Sequence, residues 1–271
     1  MRFAKAEALG NDFILIEAQQ LRGRAAPLAR RLCDRHTGVG ADGLLVVRRA
    51  GSKLALRVFN ADGSEAELSG NGMRCAAAYA HRRGWVSGAE LEIRTRAGAV
   101  PHRLRLGRGR LLGVTSWMPA ARLPSRPAPP AVALERRRAR PVLVEVGNPH
   151  LVLEVRRFDP PRLRRIGAWL ARHPRFRAGV NVEFARRLDR HALAIWIWER
   201  GVGETRSSGS GAAAAYAALR SRGRVGASAR VQMAGGTLMV RELPGALAVS
   251  GPARVVFLGS IASDRSGSDR R

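Results

Sequence analysis

At 271 residues, 45% of them hydrophobic, the chain exceeds a typical single domain and carries enough apolar material for one large core or two modest ones. Its two cysteines, Cys33 and Cys75, are too few for a disulfide framework and lack metal-ligand spacing, which points to a reducing, cytoplasmic compartment. The net charge of +27 would suit a polyanionic partner, but lysine occurs only at Lys5 and Lys53 and the remaining charge is arginine spread along the whole chain.

The densest arginine runs, Arg136-Arg137-Arg138 and Arg156-Arg157, have no interleaved aromatics of the kind that stack on bases, so no nucleic-acid partner is expected. No segment reaches the roughly 18 apolar residues of a membrane span, and Met1 to Glu7 runs into a glycine turn with no signal-like stretch. In chain order, Phe13-Ile14-Leu15-Ile16 predicts a strand, Ala25 to Arg35 a helix and Leu44-Leu45-Val46-Val47 a strand. An alanine-rich helix follows from Gly72 to Arg83, opening from a glycine turn. Prolines 119, 124, 127, 129 and 130 then mark a stiff connection over 119–131, dividing an N-terminal lobe (1–118) from a C-terminal lobe (132–261). Beyond it come a strand at Val142-Leu143-Val144, a helix from Pro161 to Arg172, a second alanine-rich helix from Gly211 to Arg222, and a strand at Val255-Val256-Phe257. Residues 262–271, mostly serine, aspartate and arginine, are expected to fray. The pattern is that of an α+β fold.

Internal repetition is the strongest signal. Glu65-Ala66-Glu67-Leu68-Ser69-Gly70-Asn71-Gly72 and Glu204-Thr205-Arg206-Ser207-Ser208-Gly209-Ser210-Gly211 share E-x-x-x-S-G-x-G at a spacing of 208 − 69 = 139. Gly10-Asn11 recurs at Gly147-Asn148, a spacing of 147 − 10 = 137. Two agreeing spacings predict two similar lobes, each with an S-G-x-G turn at a helix N-terminus. Such a turn leaves backbone N–H groups unpaired beside the positive end of the helix dipole, where a carboxylate or phosphate is favoured. Each serine can also simply cap its own helix.

Other motifs carry less. Gly38-Val39-Gly40-Ala41-Asp42-Gly43 fits G-x-G-x-x-G but leads into a strand, whereas a dinucleotide site needs a helix there. No Walker-type loop exists, neither serine lies in G-x-S-x-G, and His36, His81, His102, His150, His173 and His191 show no metal-ligand spacing. His150 and Glu199 sit at strand ends, where function concentrates.

Taken in order, Gly10-Asn11-Asp12-Phe13, Gly38 to Gly43, Phe59-Asn60-Ala61-Asp62-Gly63-Ser64-Glu65, Gly70-Asn71-Gly72-Met73-Arg74-Cys75, Gly147-Asn148-Pro149-His150, Asn181-Val182-Glu183-Phe184 and Glu199-Arg200-Gly201-Val202-Gly203-Glu204-Thr205 closely resemble the diaminopimelate epimerases. The resemblance implies two similar lobes, each a curved mixed β-sheet around a central helix, related by internal duplication. It also implies a small-molecule amino-acid substrate with carboxylates, epimerised without pyridoxal phosphate or metal; the sequence leaves open whether the chain forms a homodimer. By resemblance, Asn11, Asn60, Gly70, Asn71, Asn148, Asn181, Glu199, Arg200, Gly209 and Ser210 hold the substrate, Ser210 standing where threonine is usual.

In that family two cysteines exchange protons on opposite faces of the α-carbon, a task suited to a thiol whose pKa a helix N-terminus lowers. Those positions are Ser69 and Ser208 here, and Cys75, inside the helix, reads as a packing residue. An alcohol is a far weaker acid than a thiol, so Ser69 and Ser208 need a neighbour such as Glu199 or His150 to take the proton. Three readings stay open: an epimerase with its cysteines replaced, a relative running different isomerase or dehydratase chemistry, and a chain that binds without catalysing.

Overall fold

The computed structural model describes residues 1–262 except 128, 135 and 136. The tail expected to fray thus falls, apart from Ala262, outside the described residues, as does Arg136 of the arginine run. The first half contains β1 (Arg2–Ala8), β2 (Asn11–Glu17), α1 (Ala25–Cys33), β3 (Gly43–Ala50), β4 (Lys53–Asn60) and β5 (Glu65–Ala66), then α2 (Gly70–Arg82), β6 (Glu90–Thr95), β7 (Gly98–Gly107) and β8 (Arg110–Pro119). A small hairpin, β9 (Val132–Leu134) and β10 (Arg137–Ala139), stands apart. The second half repeats the order with β11 (Val142–Glu145), β12 (Pro149–Glu154), α3 (Pro160–Ala171), β13 (Asn181–Asp189), β14 (Ala192–Glu199) and β15 (Gly203–Thr205), then α4 (Gly209–Ser221), β16 (Ser228–Met233), β17 (Gly236–Leu243) and β18 (Ala246–Gly251). A last strand, β19 (Arg254–Ser260), closes the chain.

The pairing repeats as faithfully as the order. β2 and β3 run parallel, as do β12 and β13. β4 and β6 run parallel, as do β14 and β16. The other pairings among these strands are antiparallel. Both Gly10 and Gly147 turn their hairpins at φ near +77°, a backbone conformation that side chains rarely adopt, which explains why the glycine recurs. The fold is therefore two similar lobes, each a curved mixed sheet around one helix. α2 packs on β1, β2, β3, β4, β8 and β19, and α4 on β11 to β14 and β16 to β18.

Both central helices are buried on every side in their first turns: Gly70 to Ala80 in α2, and Ala212 to Leu219 in α4. A helix enclosed by one curled sheet has no polar face, and alanine satisfies both the narrow space and helix propensity. Each helix begins two residues before the expected start, because the glycine turn is already helical and the serine before it is the cap. Ser69 Oγ accepts from the Gly72 amide at 3.0 Å and Ser208 Oγ from the Gly211 amide at 3.1 Å.

The lobes exchange their closing segments. β19, which by sequence lies within 132–261, pairs with β1 and packs on α2. After β8 the chain reaches the other lobe, where Arg122 bridges Glu145 of β11. β8 and β18 pair antiparallel across the seam, with Thr115 and Ser250 hydroxyls 2.7 Å apart. Among the described residues, seventeen strands thereby form one continuous sheet.

The helix N-termini meet at that seam. A Cβ on Gly209 would lie 3.2 Å from Gly70 Cα, and one on Gly70 would lie 3.3 Å from Gly209 Cα. Gly209→Val is expected to destabilise the chain by about 1–3 kcal/mol through overpacking, lowering Tm by roughly 2–4 °C per kcal/mol for a chain of this size. Gly88, with open space where a Cβ would stand, accepts alanine without such a loss; equal effects of the two substitutions in a melting experiment would contradict the tight contact.

Candidate active site

Around the two facing turns the structure gathers Ser69, Gly70, Asn71, Ser208, Gly209 and Asn11. Ser69 is half-buried and Ser208 buried. Because each serine cap takes the third helical amide, the amides of Gly70 and Asn71 in one helix, and of Gly209 and Ser210 in the other, are donors the helices do not use. Both helices point their positive ends at this place. Arg74, fully buried, adds a full charge beside them: Nη1 donates to the Gly70 carbonyl at 3.3 Å, Nη2 donates to Asn71 Oδ1, and Nε has no partner. Burial lowers its pKa to about 10. Among the described residues no carboxylate pairs with it.

Asn71 also ties the lobes together. Its Nδ2 donates to Asn11 Oδ1 at 3.0 Å, to Ser207 Oγ at 2.9 Å and to the Ser207 carbonyl at 3.2 Å. Asn11 is oriented in turn by Asp42, which accepts from its Nδ2 at 2.7 Å. Asp42 is held by Arg35, which also pairs with Asp12. The Gly38 to Gly43 loop that resembled a dinucleotide motif carries Asp42 and wraps the end of α1, with the amides of Val39, Gly40 and Ala41 on the carbonyls of Leu32 and Cys33.

The second lobe supplies the titratable groups. His150, fully buried, shares Nδ1 with Glu183 Oε1 at 2.8 Å and Nε2 with Asn148 Oδ1 at 2.9 Å. Glu183 is equally buried, lies against the first turn of α4, where a Cβ on Gly211 would meet its Oε1 at 2.7 Å, and leaves Oε2 without a partner. Glu199 stands at the end of β14, opposite Gly203 of β15. Burial of its carboxyl pushes Glu199 up to about 7, with the negative Glu183 adding to the shift and the hydroxyls of Ser208 and Thr205 and the nearby His150 opposing it.

Other expected residues lie further out. Asn60 Nδ2 donates to Ser64 Oγ at 2.9 Å, and Asn181 Oδ1 accepts from the Arg200 amide at 2.9 Å. The Arg200 guanidinium donates to the Ala178 carbonyl at 2.6 Å and is exposed. The motif glutamates serve the outer surface: Glu65 pairs with Arg57 at 2.8 Å, and Glu204 with Arg164 at 2.7 Å and with Trp196 Nε1 at 3.0 Å. Cys75 is fully buried inside α2 and burial pushes its thiol well above the ordinary range, as suits a packing residue. Among the described residues no three His, Cys, Asp or Glu side chains converge where they could hold a metal ion, and no helix is long and apolar enough to cross a membrane.

The known protein family with this pattern matches residues 3–107 and 142–249, the two halves on either side of the linker; its description is diaminopimelate epimerase. The chain belongs to the diaminopimelate epimerase family. A diaminopimelate epimerase from Desulforudis audaxviator is 41% identical over 274 residues, covering 96% of this chain and 98% of that one. One from Moorella thermoacetica is 38% identical over 279 residues, covering 97% and 100%. A solved hydroxyproline epimerase from Agrobacterium vitis, with trans-4-hydroxy-L-proline bound, superposes with a TM-score of 0.76 at 19% identity over 98% of this chain and 93% of that one; it shares the fold.

Three residues were not singled out from sequence: Glu183, Arg74 and Ser207. Glu183 had a legible signal, a charge in an apolar strand two residues after Asn181 and so on the same face. Ser207 and Arg74 had none, since their roles depend on the meeting of the lobes.

Glu199 gives a pH dependence of defined sign. Its folded pKa lies above the unfolded 4.5, so the folded chain holds this proton more tightly and its contribution to stability falls as pH rises from 4.5 to about 7. Relative to wild type, Glu199→Gln is therefore expected to gain in Tm across that interval and to hold the gain above it. Melting curves whose difference stays flat from acid to neutral pH would show that the carboxyl is not perturbed.

Proposed function

We propose that the chain binds diaminopimelate, or a closely similar amino acid with two carboxylates, between lobes 1–118 and 132–261 joined by 119–131, and that it is a poor epimerase because serine replaces both proton-carrying thiols. The observation that carries the reading is the abutment of two helix N-termini over an arginine that has no carboxylate partner among the described residues. Four unused amides, two dipole ends and Arg74 favour an anion at one place, and an α-carboxylate would fill it. The same donors would hold the negative charge that develops on that carboxylate when the α-proton leaves.

Asn11, Asn60, Asn71, Asn148, Asn181, Arg200 and Ser210 are proposed to hold the ligand's amino and carboxylate groups. In the structure Asn11, Asn71 and Asn148 are already oriented by hydrogen bonds, which reduces the ordering cost of binding. Ser69 and Ser208 are proposed to face the α-carbon, with His150 and Glu199 as their acid–base support. A thiol ionises within reach of neutral pH and an alcohol does not, and each pKa unit amounts to about 1.4 kcal/mol, so the serines alone cannot serve as an ordinary base and acid pair.

The test combines calorimetry with turnover. Wild type is expected to bind LL- or meso-diaminopimelate measurably, and the double variant Ser69→Cys with Ser208→Cys to interconvert them at least about 100-fold faster than wild type, the usual weight of general acid–base catalysis. Equal turnover would show the serines competent. Absence of binding in both proteins would refute the ligand assignment.

A second copy of the chain is the proposed partner. β19 pairs only with β1 among the described residues and exposes Val256 (51%), Phe257 (47%) and Leu258 (55%) in a row, and a free edge with apolar side chains invites strand pairing. No nucleic-acid role is proposed, because many arginines are committed to carboxylates, among them Arg57, Arg122, Arg164, Arg220, Arg224 and Arg254. Wild type is expected to sediment at twice 29.3 kDa and Phe257→Asp as the single chain; a wild-type monomer at every concentration would remove this interface.

A further inference from the structure

The Gly38 to Gly43 loop holds no proposed ligand contact, yet it is built with little tolerance. A Cβ on Gly38 would lie 2.4 Å from the Arg31 carbonyl oxygen, and Gly40 turns at φ +77°. Lys5 Nζ donates to the Gly40 carbonyl and pairs with Asp12 at 2.6 Å. What the loop delivers is the Asp42 carboxylate, and three donors converge on it. Oδ2 accepts from Asn11 Nδ2 at 2.7 Å and from the Asp12 amide at 3.0 Å, and Oδ1 accepts from Arg35 Nη2 at 2.8 Å.

The hydrogen bonds that lead from the seam to Asp42 all run one way. Arg74 Nη2 donates to Asn71 Oδ1, Asn71 Nδ2 donates to Asn11 Oδ1 at 3.0 Å, and Asn11 Nδ2 donates to Asp42. A guanidinium only donates and an ionised carboxylate only accepts. An amide side chain between them fits either way round, since its oxygen and nitrogen are nearly alike in shape, and its partners alone decide. With a fixed donor at one end and a fixed acceptor at the other, both asparagines have a single orientation. Each bond in such a chain also polarises the next. So oriented, Asn71 Nδ2 also reaches Ser207 Oγ of the opposite lobe at 2.9 Å.

The second lobe has no such chain. The recurrence of Gly10-Asn11 at Gly147-Asn148 sets Phe13 against His150; Phe13 lies opposite Gly43 and His150 opposite Asn181. Val180 therefore stands in the place of Asp42, and Ser210 in that of Asn71, at the repeat spacing of 210 − 71 = 139. Asn148, the counterpart of Asn11, is bonded instead to His150 at 2.9 Å.

Resting on the ligand assignment above, we propose that Asp42 is a positioning residue: through this chain it orients the amides of Asn11 and Asn71, and the ligand meets amides set in advance. Asp42 does so without touching the ligand. Asn11 keeps one Nδ2 hydrogen and one Oδ1 lone pair uncommitted among the described residues. An amide at position 42 cannot take over, because whichever way it lies its NH₂ group faces either Arg35 or the donors of Asn11 and Asp12.

The test reads the side-chain amide signals of Asn11, Asn71 and Asn60 in the free protein by heteronuclear NMR, and binding of LL- and meso-diaminopimelate by calorimetry. Asp42→Asn is expected to speed amide hydrogen exchange at Asn11 and also at Asn71, which does not bond to residue 42, and to leave Asn60 unchanged. It is expected to raise Kd about tenfold, as suits the loss of one charge-assisted hydrogen bond. Combining Asp42→Asn with Asn11→Asp returns an acceptor-only group to the chain one place earlier, and is expected to bring the Asn71 signals back toward wild type, which a merely structural defect in the loop would not do. If Asp42→Asn does not fold, Asn11→Asp alone, with two carboxylates face to face, supplies the same contrast. Asn71 signals indifferent to these changes, a double variant no nearer to wild type, or equal affinity in wild type and Asp42→Asn would overturn the inference and leave the ligand assignment standing. Absence of binding to wild type would overturn both.

Discussion

Two helices meeting N-terminus to N-terminus, with glycine against glycine at 3.2–3.3 Å from a built Cβ, is an arrangement that electrostatics opposes, since each end carries about half a positive charge. Arg74, buried beside them without a carboxylate, adds to the opposition. What holds the ends together is everything around them. α2 and α4 are each enclosed by a sheet that continues from one lobe to the other through β8 and β18. Each lobe also carries the other's closing segment, and Asn71 fastens one helix to the Ser207 backbone and hydroxyl of the opposite lobe. The fold thus keeps a concentration of positive potential in a largely buried place, which an anionic ligand would relieve.

Duplication supplied the two facing turns and divergence differentiated them. The backbone positions that hold charge through N–H groups are the same in both lobes, because helix N-termini need only glycine, serine and the right φ and ψ. Titratable side chains are single positions, and there the lobes differ: by strand register His150 stands against Phe13, Glu183 against Leu45 and Glu199 against Asn60. The lobes are thus alike in their anion-holding amides and unlike in their titratable side chains.

Much of the fold could be read directly from the residues. The recurrence of S-G-x-G and of Gly10-Asn11 gave both the duplication and the helix each turn opens, since a glycine needing positive φ and a serine cap are local requirements that leave a local mark. Helix starts were placed two residues late because Gly70 and Gly209 look like loop residues in isolation and are helical only where tertiary packing demands it. The destination of β19 was not legible, because pairing with β1 across 250 residues is a matter of topology. Within the site, Ser69, Ser208, His150 and Glu199 stood out, whereas Glu65 and Glu204, equally marked by the repeat, turn out to pair with surface arginines. Sequence recurrence registers that a residue matters to the repeat, not which face of the strand it occupies.

The serines are not idle where they stand. Each Oγ accepts an amide at the start of its helix, which a thiol, a weaker acceptor, would do less well, so replacing cysteine by serine strengthens the cap while weakening the acid. The hydroxyl hydrogen remains free to donate, and what it donates to decides its chemistry. Burial makes the Glu199 carboxyl a stronger base than an exposed glutamate, and that gain is bounded. An α-proton is held far more tightly than a carboxyl proton, so on the proposed function the remaining gap has to be met by stabilising the carbanion. The helix N-termini and Arg74 are placed to do that whether the group at the turn carries oxygen or sulfur. On the proposed function, the rate of this chain is therefore limited by the proton carrier at each turn and not by the cradle that both turns build.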